Sequence, residues 1–125
     1  MTLTSVSPML YTEELEATIA FYVDALGFEC VAHEEEWGWA ALRRGGVEIM
    51  LSLPNAHLEF DGPRFTGSLY LRCDDVDAEW ERASPKADVA YPIEDFEYGM
   101  REFAVRDNNG YLIQFGAPVE TGGEG

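Results

Sequence analysis

The stretch from Arg101 to Pro118, REFAVRDNNGYLIQFGAP, reads as two short strands around a tight turn. Asn109-Gly110 predicts a two-residue hairpin turn, whose positive-φ residues match the twist of the flanking strands. Beyond the turn, Tyr111, Ile113 and Phe115 alternate with Leu112, Gln114 and Gly116. Successive side chains point to opposite faces of a strand, so one face is fully apolar. The other carries a lone amide, Gln114, in mid-strand, and its role is the central functional question.

Outward from this hairpin, the same pattern occurs twice. Val47 to Pro54 lies over Tyr111 to Pro118, and Pro closes both. Ser7 to Ala17 lies over Ser68 to Ala78. In the first half, Ser5 to Tyr11 predicts a strand. Thr12 predicts a helix N-cap, with Glu13, Glu14 and Glu16 in a first turn whose dipole favours negative charge. Leu15, Ile19, Tyr22 and Leu26 form its apolar stripe, and Gly27 stops it. Strands follow at Phe28 to His33, Trp37 to Arg43 and Val47 to Leu53. The second of these places Trp37 and Trp39 on one face. The third places Glu48, Met50 and Ser52 opposite Val47, Ile49, Leu51 and Leu53.

Pro54 to Thr66 is a connector carrying His57, Phe60 and Phe65, long for a loop within a compact domain. The second half repeats the order. Gly67 to Cys73 is a strand with Ser68, Tyr70 and Arg72 on one face. Asp74-Asp75 opens a helix with Val76, Trp80 and Ala83 as its stripe. Val89 to Phe96 is a strand in which Pro92 marks an edge or a bend. The expected organisation is one domain over 1–120, with modules at about 4–54 and 66–118 and a polar tail at 121–125. The fold class is α+β: two βαβββ modules, each a sheet half-covered by one helix. The uncovered faces carry Trp37, Trp39, Glu48, Met50, Tyr70, Arg72 and Gln114. Such faces predict a concave small-molecule site.

The 125 residues hold 8 Lys+Arg against 24 Asp+Glu, a net charge of −16. That argues against nucleic acid and anionic membrane as partners. It serves either solubility or the steering of a cationic ligand. No apolar run is long enough to span a bilayer, and the N-terminus lacks a signal peptide's basic start and apolar segment. Cys30 and Cys73 have no metal-ligand spacing and read as two reduced thiols, so the expected location is the cytoplasm.

Three segments together resemble the vicinal oxygen chelate superfamily of glyoxalases, extradiol dioxygenases and bleomycin-resistance proteins. They are Glu14 to Tyr22 followed by Leu26-Gly27-Phe28; Asp74 to Ala78; and Arg106 to Phe115. The resemblance covers nearly the whole chain. It implies paired βαβββ modules forming an incomplete barrel around a cleft, and a homodimer. It also implies a divalent metal held by His, Glu or Gln from the first and last strands of each module. In this chain those places fall on Ser7, Met50, Ser68 and Gln114. Serine and methionine suit a hard divalent ion poorly, and one amide cannot hold it alone. No metal and no cofactor are therefore expected. His33 and His57 have no ligand partner at useful spacing and read as surface or packing residues.

The expected function is metal-free binding of a cationic or aromatic small molecule. Antibiotic sequestration of a bleomycin-like drug is its specific form. Trp37 and Trp39 offer a π-rich wall. Met50, Phe60 and Tyr70 complete the pocket, Gln114 orients the ligand, and Arg72 or Arg101 meets an acidic group on it or neutralises a carboxylate. The alternative is a lyase, isomerase or dioxygenase. It would be metal-dependent with a rearranged ligand set, or metal-free with Glu48 or Tyr70 as base. Glu48 fits only if burial raises its pKa; its plainer role is pairing with Arg72 or Arg101.

Overall fold

The structure, a computed structural model, describes residues 2–54 and 60–119. His57 and the expected tail at 121–125 lie outside the described residues. The chain divides into two compact units, Met1–Arg64 and Phe65–Gly125. Each unit is a four-stranded mixed sheet with one helix against it.

In the first unit the order is β1 (Met9–Tyr11), α1 (Leu15–Asp24), β2 (Glu29–Glu34), β3 (Trp39–Arg44) and β4 (Val47–Ser52), with sheet order β1-β4-β3-β2. Strand β1 joins β4 in parallel, Met9 opposite Met50, as a βα crossover requires. The helix-covered face holds Leu42, Ile49 and Leu51, all fully buried. Tyr22 of α1 meets Phe28 edge-on at 5.8 Å in the same core. Burying each such side chain contributes about 1.5–3 kcal/mol.

Two local expectations change here. Helix α1 begins at Leu15, with Glu14 as its N-cap. Thr12 is fully buried and acts two residues earlier, its Oγ1 accepting from the Glu14 amide at 2.9 Å and touching Thr18 Oγ1 at 3.2 Å. Thr18 takes a core place that the apolar stripe had given to Ile19, and it satisfies its hydroxyl on the Glu14 carbonyl at 2.7 Å. More consequentially, Trp37 is not in β3. Glu35–Trp37 form a 3-10 turn that ends at Gly38 in the left-handed conformation, φ 61°. Leu53 closes over this turn, its amide donating to the Gly38 carbonyl at 2.8 Å. A Cβ on Gly38 would lie 2.7 Å from Leu53 Cδ1, and the positive φ adds to the preference for glycine.

The second unit repeats the plan with β5 (Leu69–Arg72), α2 (Val76–Ala83), β6 (Asp88–Asp95), β7 (Met100–Arg106) and β8 (Leu112–Pro118), sheet order β5-β8-β7-β6. Asp75 caps α2, its side chain accepting from the Ala78 amide. Phe103 stacks on Phe115 at 5.2 Å and receives Trp80 edge-on at 5.2 Å. Strand β6 is an edge strand, and its register shifts between Tyr91 and Glu94, around Pro92.

The Asn109-Gly110 turn is also not the expected one. Only Gly110 has positive φ, 98°, and Asn109 does not. The register pairs Arg106 with Leu112, leaving a five-residue loop. Asp107 organises it: its Oδ1 accepts from the amides of Asn109 at 2.8 Å and Tyr111 at 2.9 Å. The sequence signal Asn-Gly was read as the turn when the aspartate two residues earlier sets it. Asp107→Ala should therefore lower stability by about 2–3 kcal/mol, since two amides lose a charged acceptor at a buried position. Denaturant unfolding measures it; a change under about 0.5 kcal/mol would contradict this account of the turn.

Candidate functional site

Each sheet has a face turned away from its helix, and the strand register decides which side chains occupy it. In the first unit Trp39 pairs with Ser52, Ala41 with Met50 and Arg43 with Glu48. Tyr11 joins them beside Ser52. Phe60 stands edge-on to Tyr11 at 6.5 Å. The open face thus gathers Trp39, Met50, Phe60 and Glu48 as expected, and adds Tyr11. Trp37 stands 75% exposed on its 3-10 turn, outside β3.

Glu48 is engaged within its own unit. Ser7 donates to it at 2.5 Å and Arg43, across the β3–β4 pair, at 3.1 Å. These hydrogen bonds, Ser7 first and then Arg43, hold its carboxyl below the ordinary glutamate value. A general base poised near neutrality needs the opposite shift. Arg101 lies on the helix-covered side, bonded to Asp77 at 2.9 Å and Asp95 at 2.9 Å. A concavity of about 320 Å³ at the start of α2 is lined by Asp74, Asp75, Asp77, Asp95 and Arg101. Its arginine is already engaged there.

The open face of the second unit is built around a residue that composition did not single out. Glu102, in β7, is 1% exposed. Burying a carboxylate is costly unless it is hydrogen-bonded. Tyr70 donates to its Oε1 at 2.8 Å and Tyr91 to its Oε2 at 2.5 Å. Gln114 extends the chain: its Nε2 donates to the Tyr91 oxygen at 2.8 Å, and its Oε1 accepts from Ser68 Oγ. Tyr70 reaches Glu102 by crossing Gly116. A Cβ at that glycine would lie 2.0 Å from the phenol oxygen and 2.7 Å from Cζ. Arg72 stacks over the Tyr70 ring at 5.5 Å.

This network sets the proton chemistry of the face. Burial, then the Glu102 hydrogen bond, raises the Tyr70 pKa well above the ordinary phenol value. Tyr91 is pushed up to about 12, by burial first, with Gln114 opposing and Glu102 adding to the rise. Tyr98, though 64% exposed, is also raised, by partial desolvation and the Glu102 carboxylate. Phenols held protonated in this way serve as donors and do not serve as bases at neutral pH.

The sequence positions where the resemblance implies metal ligands do not fit a divalent cation. In the second unit the Gln114 oxygen accepts from Ser68 and its nitrogen donates to Tyr91, and Ser68 is itself a poor metal ligand. In the first, Ser7 is committed to Glu48, and Met50 offers only a thioether. No mechanism through a metal at these positions follows. His33, read as a surface or packing residue, is half-buried on β2. Its Nε2 lies 3.4 Å from Glu16 Oε2, and Glu16, His33 and Glu35 each offer a ligand atom within 4.8 Å of the others. Spacing along the chain hid this, because α1 and β2 bring together residues seventeen apart.

The profile of the Glyoxalase/Bleomycin resistance protein/Dioxygenase superfamily matches residues 4–115, and the chain belongs to that superfamily. Similar solved structures include TioX from Micromonospora sp. ML1, 22% identical over 93% of this chain and 100% of that one, TM-score 0.77. Another is the bleomycin-binding protein from bleomycin-producing Streptomyces verticillus, complexed with copper(II)-bleomycin. It is 26% identical over 96% of this chain and 99% of that one, TM-score 0.71. A lactoylglutathione lyase from Agrobacterium tumefaciens is 22% identical over 94% and 96%, TM-score 0.69. Among curated proteins no sequence match is found. No helix among the described residues is long and apolar enough to cross a membrane. Cys30 and Cys73 are both free thiols.

Two expectations test the network. Gly116→Ala should drive Tyr70 off Glu102 and cost about 1.5–3 kcal/mol, the worth of a hydrogen bond to a charged group; wild-type stability on unfolding would contradict it. The raised phenol pKa values also give stability a pH dependence. Between the unfolded value, about 10, and the folded ones, the native state binds more protons, so stability falls as pH rises. The contribution is complete below about pH 10 and lost for Tyr91 as pH passes about 12. Melting temperatures across this range should fall less steeply in Tyr91→Phe. An unchanged slope would contradict it.

Proposed function

We propose that the protein binds a cationic or aromatic small molecule on the open sheet faces, without a metal at Gln114, and releases it unchanged. Sequestration of a bleomycin-like drug is the specific form. The observation that carries this reading is that both ends of the Gln114 amide are bonded within the protein, to Ser68 and Tyr91. The lowered Glu48 and raised tyrosine pKa values support it by leaving no base near neutrality among these residues. The likeness to the Streptomyces verticillus bleomycin-binding protein supports the ligand class. The net charge of −16 favours a cationic partner.

Trp39 is the principal aromatic contact, with Met50, Phe60 and Tyr11 beside it. Tyr70, Arg72 and Gln114 supply polar contacts. The protein acts as a homodimer in the cytoplasm. Support for the dimer comes from large apolar side chains left exposed on the chain, among them Trp37 at 75%, Phe65 at 48% and Met9 at 41%.

Thermal-shift and calorimetric titration with metal-free bleomycin and other cationic aromatic compounds, in EDTA, test the reading. Saturable binding should raise the melting temperature through linkage. Trp39→Ala should weaken binding about tenfold or more, as loss of a central aromatic contact does. Trp37→Ala should change affinity less than about twofold, because Trp37 sits on the 3-10 turn rather than in β3. Turnover of an α-hydroxy thioester or a catechol that EDTA abolishes would overturn the proposal. Light scattering should give a mass twice the chain's 14.0 kDa; a monomer would contradict the dimer.

A further inference from the structure

We propose that Glu16, His33 and Glu35 form a binding site for a zinc-like divalent cation, on the helix-covered side of the first sheet and separate from the open-face residues. The strand register places His33 opposite Ala40, which is fully buried on that side. The imidazole is therefore directed toward α1, where Glu16 stands in the first turn. Strand β2 ends at Glu34, and the 3-10 turn that follows returns Glu35 to the same place. One ligand atom from each residue lies within 4.8 Å of the other two.

The nitrogen itself points to a ligand. His33 Nε2 is buried and makes no hydrogen bond with any of the described residues. Glu16 Oε2 stands 3.4 Å away without hydrogen-bond geometry. Buried polar nitrogens of this kind are normally satisfied. Two donors at about 2.05 Å on a tetrahedral zinc ion lie about 3.3 Å apart. The 3.4 Å between His33 Nε2 and Glu16 Oε2 is compatible with a shared cation. Such a cation would also relieve the repulsion between the two carboxylates, Glu16 and Glu35. One imidazole with two carboxylates suits zinc or nickel, where an all-oxygen set would suit calcium or magnesium. Three protein ligands leave the fourth position to water. A bound ion would tie α1 to β2 and to the turn that carries Trp37.

Isothermal titration of the EDTA-stripped full chain with zinc chloride tests the site. Saturable binding of one ion per chain is expected, with a rise in melting temperature and a change in Trp37 emission. His33→Gln and Glu35→Gln should each weaken binding by at least about tenfold. Glu35 is exposed, so its variant keeps the fold; circular dichroism of both variants verifies this. His57→Gln, the chain's other histidine, should leave binding unchanged. The absence of saturable binding would overturn the proposal, as would binding that survives His33→Gln. Binding lost in Gln114→Ala but kept in His33→Gln would overturn it and the open-face reading together. Loss in His33→Gln alone supports this site and leaves that reading untouched.

Discussion

A carboxylate on the side of a sheet that no helix covers, yet only 1% exposed, governs the second unit. Glu102 is tolerated there because phenols from two other strands donate to it. Each donor imposes a further condition. Tyr70 can reach only across a residue without a Cβ, which fixes Gly116. Tyr91 keeps its own oxygen satisfied by Gln114, which in turn holds Ser68. Four strands are thus tied through one polar chain, and rigid donors line the face that a ligand would meet. Networks of this kind specify geometry when every member is satisfied.

The first unit has the same topology with different content. Met50 stands where the second unit has Gln114, and the polar element is the Ser7–Glu48–Arg43 chain at the other end of β4. Around it are Trp39, Tyr11 and Phe60, so this face is aromatic where the other is polar. The open faces of the two units thus differ in chemistry, while each core packs aromatic rings against its helix. Phe103 and Phe115 in one unit and Tyr22 and Phe28 in the other perform the same packing task.

Much of the fold was legible in the sequence. Alternation placed Ile113 and Phe115 inward and Gln114 outward, and the two helices and eight strands of the described residues were recognisable from periodicity and stop signals. The misreadings were local. Trp37-Gly38-Trp39 alternates like a strand, but Gly38 takes a left-handed conformation under Leu53, and no pattern of hydrophobicity encodes that contact. The hairpin turn obeys Asp107 rather than the Asn-Gly pair. The site was less legible. Glu102 sits in a strand among many other acidic residues, and its burial depends on partners in β5 and β6. Its signal was an acid alternating with Phe103 and Val105, on the same face as Gln114.

The most direct test of the central claim follows the Gln114 side-chain amide resonances by nuclear magnetic resonance. Metal-free bleomycin, added in EDTA, should shift them saturably, while zinc chloride added alone should leave them in place. Resonances that move with zinc and ignore the drug would contradict the account.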